Sequence, residues 1–319
     1  MTENESAISL PSIDPIELGR VAVLYGGVSA EREISLQTGL AVERGLKAAG
    51  VDVFLLDIGD DPRAQIDATP MDRAFIALHG IGGEDGSIQA LLGSKNIPYT
   101  GSGVAASALA IDKCRSKQMW SAMGLPTAQF RILRPTTDWQ SVLDELGGKV
   151  MVKPSREGSS LGMSIANTGK ELEAAYRLAS THDMSVFAET WLPGREFTVG
   201  VVGEQILPVV ELRPEEAFYS YQAKYVSGNT GYLCPAPVDA DLYKALQDIS
   251  FSAFESIGCR GWGRVDVMLD ASNEVQVLEV NTSPGMTSQS LVPMAAKQAG
   301  ISFGDVLLAI LSAKGEVGV

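Results

Sequence analysis

The sequence of 319 residues is long enough for two or three domains, and its 45% hydrophobic and 20% charged residues are typical of a globular protein. The formal net charge of -14 argues against nucleic acid or an anionic membrane as the main partner, although a few cations gathered in a cleft suffice to bind a small anion. Because the chain has only two histidines, His79 and His182, its composition excludes a histidine-built zinc site and disfavours a Ser-His-Asp hydrolase.

The N-terminal segment and the cysteines bear on location. The start MTENESAISL is acidic and has none of the features of a signal peptide, and no stretch is long and apolar enough to predict a membrane span. Cys114, Cys234 and Cys259 lie far apart and match neither a zinc site nor a disulfide framework. We therefore expect free thiols in a cytoplasmic protein.

The first third of the chain predicts a small parallel sheet. Residues 1–18 are expected to be a disordered tail. Three continuous apolar runs are typical of strands that are covered on both faces: 20–27, 51–58 and 73–80. Small and apolar residues recur at helical spacing over 34–49, between the first two runs. This strand-helix-strand order indicates an α/β class and a Rossmann-like N-terminal domain over 1–101.

A different texture begins at residue 102, and we expect a central domain over 102–190. It starts with one helix over 107–124, which Gly124 and Pro126 end. The strand KVMVKP (149–154) leads into a loop of glycines and serines, SREGSSLGM, and Lys153 stands just before that loop. Exposed backbone N–H groups and hydroxyls in such a loop are typical of a phosphate site, and an ordinary mobile loop is the alternative.

The last part, over 191–319, is expected to be an α+β C-terminal domain. A strand is predicted over 195–203 and a tight hairpin over 201–206, followed by an irregular stretch over 213–238. A helix over 241–258 and a second hairpin over 261–281 come next, and two short helices end the chain. No internal repeat is present.

The second hairpin predicts a metal site. If its loop has four residues, Asp270 pairs with Val275, which places Asp266 opposite Glu279 and Arg264 opposite Asn281 on one face. Directly opposed carboxylates repel, and a divalent cation between them would remove that repulsion. A solvated polar face is the alternative. A change of one residue in loop length would move Glu279 to the other face.

Two further loops are expected to meet at the carboxyl ends of the first sheet. GGVSAERE places Glu31 there, where it could bind an ammonium group, and HGIGGEDG places His79 there. A surface glutamate that begins a helix and a structural histidine are the alternatives. The segment GSGVAA (101–106) matches a dinucleotide fingerprint, but Pro98 weakens the strand before it and the next acid, Asp112, is too close.

Taken together, the motifs resemble those of the D-alanine–D-alanine ligases of the ATP-grasp superfamily. The matching stretches follow the order of that family: GGVSAEREIS, ALHGIGGEDGSIQ, YTGSGVAASALAIDK, VKPSREGSSLGMS, EFTV, YSYQAKY, GWGRVDVML and LEVNTSPGMTSQSLVPMAA. The resemblance implies a three-domain ATP-grasp fold with a nucleotide between the central and C-terminal domains. It implies ATP-dependent ligation of two D-alanine molecules through a D-alanyl phosphate, with release of ADP and phosphate, for peptidoglycan precursors.

The resemblance also implies the binding residues. ATP is expected to contact Lys113, Lys153, Ser160, Glu189, Trp191, Leu192, Glu196 and Lys224. Two Mg²⁺ (or Mn²⁺) ions are expected on Asp266, Glu279 and Asn281. The D-alanine molecules are expected to contact Glu31, His79, Arg264, Lys224, Ser290 and Leu291. Arg264 and the N–H of Gly285 would stabilise the oxyanion, while Glu31, Ser159 and Tyr225 would tie the active-site loops shut.

Two positions depart from the family pattern, Thr190 and Ile81. A homodimer that binds neither nucleic acid nor membrane is the expected assembly. Three other functions stay open at this point. They are a different ATP-grasp carboxylate–amine ligase, a nicotinamide-dependent oxidoreductase that uses GSGVAA, and a nucleotide-binding protein without catalysis.

Overall fold

The computed structural model describes residues 8, 10, 11, 13–214 and 230–313. Two of the predicted site residues, Lys224 and Tyr225, lie outside the described residues.

The N-terminal sheet is parallel, as predicted. Its three strands lie in the order β2-β1-β3 and are β1 (Val21–Gly26), β2 (Val53–Ile58) and β3 (Arg73–Ile76). The helices of this region are α1 (Arg32–Ala48), α2 (Pro62–Ala68) and α3 (Ser87–Ser94). The first four residues of β1 are completely buried, which is why that strand is a continuous apolar run.

The expectation of a tail that extends to residue 18 is wrong at its end. Residues Pro15–Leu18 form a short 3-10 helix, and the side chain of Asp14 caps it by accepting a hydrogen bond from the N–H of Ile16. Leu18 is buried in the core, and Leu10 and Ile13 pack against the same core. Apolar residues at these positions therefore anchor the segment, because burying them removes their surface from water.

The helix predicted over 107–124 is two helices, α4 (Val104–Ile111) and α5 (Lys113–Ala122), with a break at Asp112. The Asp112 carboxylate caps α5 through the N–H of Arg115 and also accepts a 2.6 Å hydrogen bond from Ser155 Oγ. Aspartate at such a position competes for backbone donors and so begins a new helix. The break places Lys113 at the first position of α5.

The central sheet is antiparallel, and its strands lie in the order β4-β7-β5-β6. Its elements are β4 (Phe130–Leu133), α6 (Trp139–Glu145), β5 (Val150–Pro154), β6 (Ser164–Ala166), α7 (Gly169–Ala179) and β7 (Val186–Thr190). All five residues of β5 are buried, so Lys153 is carried on an inner strand.

The C-terminal sheet has six strands in the order β11-β10-β8-β12-β13, with β9 paired to β8. Its elements are β8 (Glu196–Val202), β9 (Gln205–Ile206), β10 (Val210–Arg213), β11 (Gly231–Leu233), α8 (Ala240–Ser256), β12 (Trp262–Leu269) and β13 (Val275–Asn281). The predicted hairpin through Gly203 is confirmed by the Val202–Gln205 pair. The stretch 213–238 was predicted to be irregular, but Arg213 ends β10 and β11 lies inside that stretch.

The hydrophobic cores do not follow chain order. The last two helices, α9 (Leu291–Gln298) and α10 (Phe303–Ser312), share one core with the N-terminal sheet. Trp120 of α5 and Ala106 of α4 lie in the core of the C-terminal sheet. The central sheet has a core of its own. The three domain ranges expected from the sequence stay a prediction.

The hairpin of β12 and β13, which we call the metal hairpin, has the predicted residue pairs only at the end away from its turn. Arg264 faces Asn281 and Asp266 faces Glu279, as predicted, but Leu269 rather than Asp270 faces Val275. The turn is tighter than expected, since the N–H of Asp270 donates to the carbonyl of Glu274 and Asn273 adopts a left-handed φ of 62°. A bulge between Asp266 and Val267 leaves Leu278 without a partner residue, and it restores the register.

The three cysteines are free, with Cys114 and Cys259 buried. Burial raises the pKa of Cys234 to about 11 and that of Cys259 to about 12, so these thiols stay protonated at neutral pH. Among the described residues no single helix has the length and apolarity of a membrane span. The α9–α10 pair, bent by 110°, meets those two criteria only when its helices are taken together.

Candidate active site

Two adjoining cavities lie between the sheets. The larger has a volume of about 630 Å³ and the smaller about 550 Å³. Both are lined by Lys113, Ser159, Asp266 and Glu279, so these residues form the shared wall. The residues predicted to contact ATP line the smaller cavity, and those predicted to contact D-alanine line the larger one, with the shared wall between them.

The predicted nucleotide residues line the smaller cavity: Lys113, Lys153, Ser160, Glu189, Trp191, Leu192 and Glu196. The predicted D-alanine and oxyanion residues line the larger cavity: Glu31, His79, Ser159, Arg264, Gly285, Ser290 and Leu291. Asn281 lines only the larger cavity. The structure thus brings together every predicted site residue that it describes.

Glu189 is a buried acid in the wall of the smaller cavity, and it lies between two lysines. Its Oε1 is 2.5 Å from Lys153 Nζ and its Oε2 is 2.8 Å from Lys117 Nζ. Burial alone would raise the pKa of Glu189, but the two lysines lower it to about 2. We call Lys117, Glu189 and Lys153 the enclosed cluster.

Two more ion pairs lie at the shared wall, and we call them the open cluster: Lys113 with Glu279, and Asp266 with Arg264, which lines only the larger cavity. Lys113 Nζ is 2.9 Å from Glu279 Oε2 and donates to the carbonyl of Glu157. Burial would lower the pKa of Lys113, but the charge of Glu279 outweighs it and the pKa is raised. Lys113 therefore stays a cation at the boundary of the two cavities.

Asp266 is held from two sides. Arg264 donates from Nε and Nη2 to its two oxygens, at 2.8 and 2.7 Å, and Thr198 Oγ1 donates at 2.6 Å. Protein cations therefore already balance the two opposed carboxylates, so their repulsion alone does not demand a metal. The oxygens of Asp266, Glu279 and Asn281 are nevertheless the hard donors that Mg²⁺ prefers. The residues present thus fit a magnesium site by their chemistry.

In the larger cavity, Glu31 contacts the Gly-Ser loop. Ser159 Oγ donates to Glu31 Oε1, and a Cβ on Gly158 would come within 2.7 Å of Glu31 Oε2. A larger residue at position 158 would displace the Glu31 carboxylate from this contact. Burial raises the pKa of Glu31 and Glu84 adds to the rise, while the hydrogen bond from Ser159 opposes it. The contact joins the N-terminal sheet to the central sheet across the site.

His79 has a polar neighbour at each ring nitrogen, of which one is within hydrogen-bond distance. Its Nε2 lies 3.0 Å from Thr38 Oγ1 on α1, and its Nδ1 lies 3.7 Å from Glu84 Oε1. The same Glu84 oxygen accepts from the N–H of Gly80 at 2.9 Å. The ring is therefore held at the end of β3, on the wall of the larger cavity.

Ser290 stands at the N-cap of α9, with Leu291 as the first residue of that helix. Ser290 Oγ accepts a 2.9 Å hydrogen bond from the N–H of Thr287 and lies 3.0 Å from Thr287 Oγ1. A Cβ on Gly285 would come within 3.1 Å of Ser290 Oγ, so the two residues are close neighbours. A helix N-terminus here favours a carboxylate, because unpaired N–H groups point out of it.

Contacts at its start and in its middle hold the Gly-Ser loop over the cavities. At its start, Arg156 pairs with Asp183 at 2.7 Å, and the Arg156 N–H donates to the same carboxylate at 3.0 Å. Ser159 and Ser160 both adopt left-handed backbone, with φ of 52° and 59°. This conformation is costly for residues other than glycine, so the contacts of the loop must hold it in place.

Sequence reasoning missed several residues of the site. Glu84 was within reach, since it is an acid in the same loop as His79. Lys117 and Thr198 had no such signal, because a lysine inside a helix and a threonine inside a strand are most often surface residues. Arg32, which pairs with Asp57 at 2.7 Å and donates to the carbonyl of Gly27, steadies the loop that carries Glu31.

The segment before GSGVAA forms only an isolated bridge between Tyr99 and Ala74, and Gly103 is the N-cap of α4. The weak strand that Pro98 predicted is therefore confirmed. Of the two departures from the family pattern, Ile81 is exposed, and Thr190 donates a hydrogen bond to the carbonyl of Leu146.

Comparison with known proteins gives a consistent result. Residues 119–312 match a family profile described as the C-terminus of D-ala D-ala ligase. A D-alanine–D-alanine ligase of Saccharophagus degradans is 52% identical over 295 residues, which cover 92% of this chain and 94% of that protein. One from Pseudomonas fluorescens is 50% identical over 302 residues, which cover 95% of this chain and 93% of that protein.

Solved structures are similar over nearly the whole chain. The D-alanine–D-alanine ligase of Bacillus anthracis superposes with a TM-score of 0.82 at 32% identity and covers 92% of this chain and 96% of that chain. The structure of the Bacillus anthracis enzyme complexed with ATP gives a TM-score of 0.79 at 30% identity, with the same coverage.

Proposed function

The chain belongs to the D-alanine–D-alanine ligase family, and we propose that it joins two D-alanine molecules to D-alanyl-D-alanine at the expense of ATP. Its fold is the α/β ATP-grasp fold of that family. The observation that carries the proposal is the wall shared by the two cavities, which carries Lys113, Asp266 and Glu279. A nucleotide in the smaller cavity and an amino acid in the larger one would meet at this wall.

In the first step, the carboxylate of the first D-alanine attacks the γ-phosphorus of ATP, which gives D-alanyl phosphate and ADP. Lys113 and Lys153 border the smaller cavity and would neutralise charge on the phosphates. Such neutralisation is the main source of catalysis in phosphoryl transfer. Ser160, Trp191, Leu192 and Glu196, with Glu189, would hold the rest of the nucleotide, and Lys224 is proposed to assist from outside the described residues.

In the second step, the amine of the second D-alanine attacks the acyl carbon and phosphate leaves. Arg264 has five N–H donors, of which two serve Asp266, so its guanidinium can face both the acid and a developing oxyanion. The N–H of Gly285 would be the second donor. These groups would act because they are in place before the charge develops.

The two subsites are those that the resemblance to the family implies, and the charges of the larger cavity support them. Glu31 and His79 would bind the ammonium side of the first D-alanine, and Ser290 and Leu291 at the N-terminus of α9 would receive the second, together with Lys224. The Ser159–Glu31 contact supports a closed loop over this cavity, and Tyr225 is proposed to complete it. Closure matters because water would hydrolyse an acyl phosphate.

We propose that Asp266, Glu279 and Asn281 hold two Mg²⁺ (or Mn²⁺) ions. A bound divalent ion supplies positive charge to the phosphate oxygens. The part of the protein is to present three oxygen donors on one hairpin face, backed by Thr198 on Asp266.

The remaining expectations are proposals of the same kind. The protein would work in the cytoplasm on peptidoglycan precursors, as a homodimer that has neither nucleic acid nor membrane as partner. Its N-terminal, central and C-terminal domains would span 1–101, 102–190 and 191–319.

The decisive assay is phosphate release from ATP with D-alanine, with L-alanine as the control. We expect release with D-alanine only, together with a D-alanyl-D-alanine product. Equal stimulation by L-alanine would refute the substrate. Glu31→Gln should lower kcat/KM for D-alanine about a hundredfold, since it removes the charge that faces the ammonium. Unchanged activity of this variant would favour a different carboxylate–amine ligase.

A further inference from the structure

Lys117 is a fully buried lysine that lines neither cavity. It lies one helical turn after Lys113 on α5, and none of its side chain is exposed. Burying a lysine without compensation is costly, so its contacts must account for its presence.

The ammonium group of Lys117 has two polar partners. Nζ lies 2.8 Å from Glu189 Oε2 and donates to Thr127 Oγ1 at 2.6 Å. Thr127 Oγ1 in turn donates to the carbonyl of Val277 on β13 at 2.8 Å. Lys117 therefore connects the strand that carries Glu189 to the hairpin strand that carries Glu279.

Burial lowers the pKa of Lys117, while the charge of Glu189 opposes that fall. With both lysines protonated, the charges of the enclosed cluster do not balance. Two lysines face one carboxylate, and within the described part of the chain Oε2 of Glu189 has no other polar partner than Lys117. The other oxygen is taken by Lys153, whose side chain is 11% exposed and lines the smaller cavity. The surplus positive charge is thus directed toward the cavity.

We infer that Lys117 is a positioning residue of the nucleotide cavity. It neutralises Glu189 from the side away from the cavity, so that the charge of Lys153 remains available to an anionic nucleotide. The inference rests on the proposed function, since it assumes that the smaller cavity binds ATP. Without Lys117, Glu189 and Lys153 would form a neutral buried pair, and the surplus charge would be lost.

The test uses Lys117→Met and Lys117→Gln in the full chain. Titration calorimetry with the non-hydrolysable analogue AMP-PNP and Mg²⁺, at fixed ionic strength, should show about tenfold weaker binding in both variants. Because glutamine keeps an N–H donor and loses the charge, wild-type binding by Lys117→Gln would overturn the inference. The KM for D-alanine should change less than about twofold, because Lys117 does not border the larger cavity.

A second change separates charge from packing. In Lys117→Met combined with Glu189→Gln, the cluster again carries one net positive charge, so AMP-PNP should bind at least about threefold more tightly than to Lys117→Met alone. A purely structural role predicts the opposite, since two polar partners would then be missing. Binding no better than that of the single variant would therefore refute the inference.

The control is Leu143→Ala, which opens a cavity in the core of the central sheet away from both pockets. It should lower the melting temperature and leave AMP-PNP affinity unchanged; an equal loss of affinity would attribute the Lys117 effect to destabilisation and overturn the inference. Wild-type protein that fails to bind AMP-PNP would refute the proposed function itself. Wild-type protein that binds, alongside Lys117 variants that bind equally well, would refute only the role of Lys117.

Discussion

The enclosed and open clusters pair glutamate with lysine in two different ways. Glu189 lies between Lys117 and Lys153 with 4% of its side chain exposed, whereas Glu279 pairs with Lys113 and leaves 25% exposed. An enclosed carboxylate keeps its partners, because separating them would leave a buried charge. A carboxylate open to a cavity can exchange a lysine for another cation. The enclosed cluster therefore sets a fixed charge, and the open cluster is suited to bind a cation and to release it.

The largest effect is expected at the open cluster. Asp266→Asn combined with Glu279→Gln should lower turnover at least about a thousandfold, since both proposed metal-binding carboxylates lose their charge. The rate of phosphate release with D-alanine and ATP measures it. Glu274→Gln, in the exposed turn of the same hairpin, is the matched control and should keep wild-type turnover. Little effect of the double change would contradict the proposed metal site.

The enclosed cluster should instead show itself in acid stability. Because the pKa of Glu189 is lowered from 4.5 to about 2, the ionised carboxylate contributes stability that is full above pH 4.5 and is lost as the pH falls toward 2. The contribution is about 3 kcal/mol at roughly 1.4 kcal/mol per pKa unit.

Urea unfolding of wild type and Glu189→Gln measures that contribution between pH 5 and pH 2. The difference in free energy of unfolding should be largest near pH 5 and should shrink toward pH 2. A difference that stays constant over this range would show that the charge of Glu189 is not what its partners stabilise.

A smaller effect is expected where the loop over both clusters is tethered. Asp183→Asn removes the ion pair with Arg156 and should raise the KM for ATP about threefold, because the loop is held less firmly. Burial would raise the pKa of Asp183, but Arg156 and backbone N–H donors lower it, so the carboxylate is charged at neutral pH. Glu173→Gln, which breaks an exposed pair on α7, should leave the KM unchanged.

The smallest effect is expected at an ion pair far from either cluster. Lys244 and Asp248 pair on the exposed face of α8. Lys244→Ala should change the free energy of unfolding by about 0.5 kcal/mol or less, since solvent screens such pairs. Thermal unfolding of the two proteins checks it, and a loss as large as that of Glu189→Gln would erase the distinction between enclosed and exposed pairs.

At the metal hairpin, the predicted pair of Asp266 and Glu279 is correct although the predicted turn is not. A four-residue loop was assumed in order to place Asp266 opposite Glu279. The actual turn shifts the register by one residue, and the bulge at Leu278 shifts it back. Periodicity predicts which residues share a face, but no side-chain pattern in a strand announces a bulge. The pairing at Val275 was wrong for the same reason.

The parallel sheet and the motif loops were predictable because their signals are local. The packing of α4 and α5 on the C-terminal sheet was not, since nothing in a helix sequence states which sheet it covers. The break at Asp112 was readable in principle, because aspartate favours an N-cap. The role of Lys117 depends on Glu189 and Thr127, which meet it only in the fold.

The shared core of the N-terminal sheet and the two last helices has a consequence for synthesis on the ribosome. The surface of β1 and α1 that contacts Leu307 and Ile310 cannot be covered until those residues have emerged from the exit tunnel. These elements therefore stay partly uncovered while more than 250 further residues are translated, from Ala48 at the end of α1 to Leu307. At about 5 to 20 residues per second this takes on the order of ten seconds or more. During this interval the N-terminal third exposes apolar surface, which is the kind of surface that chaperones bind.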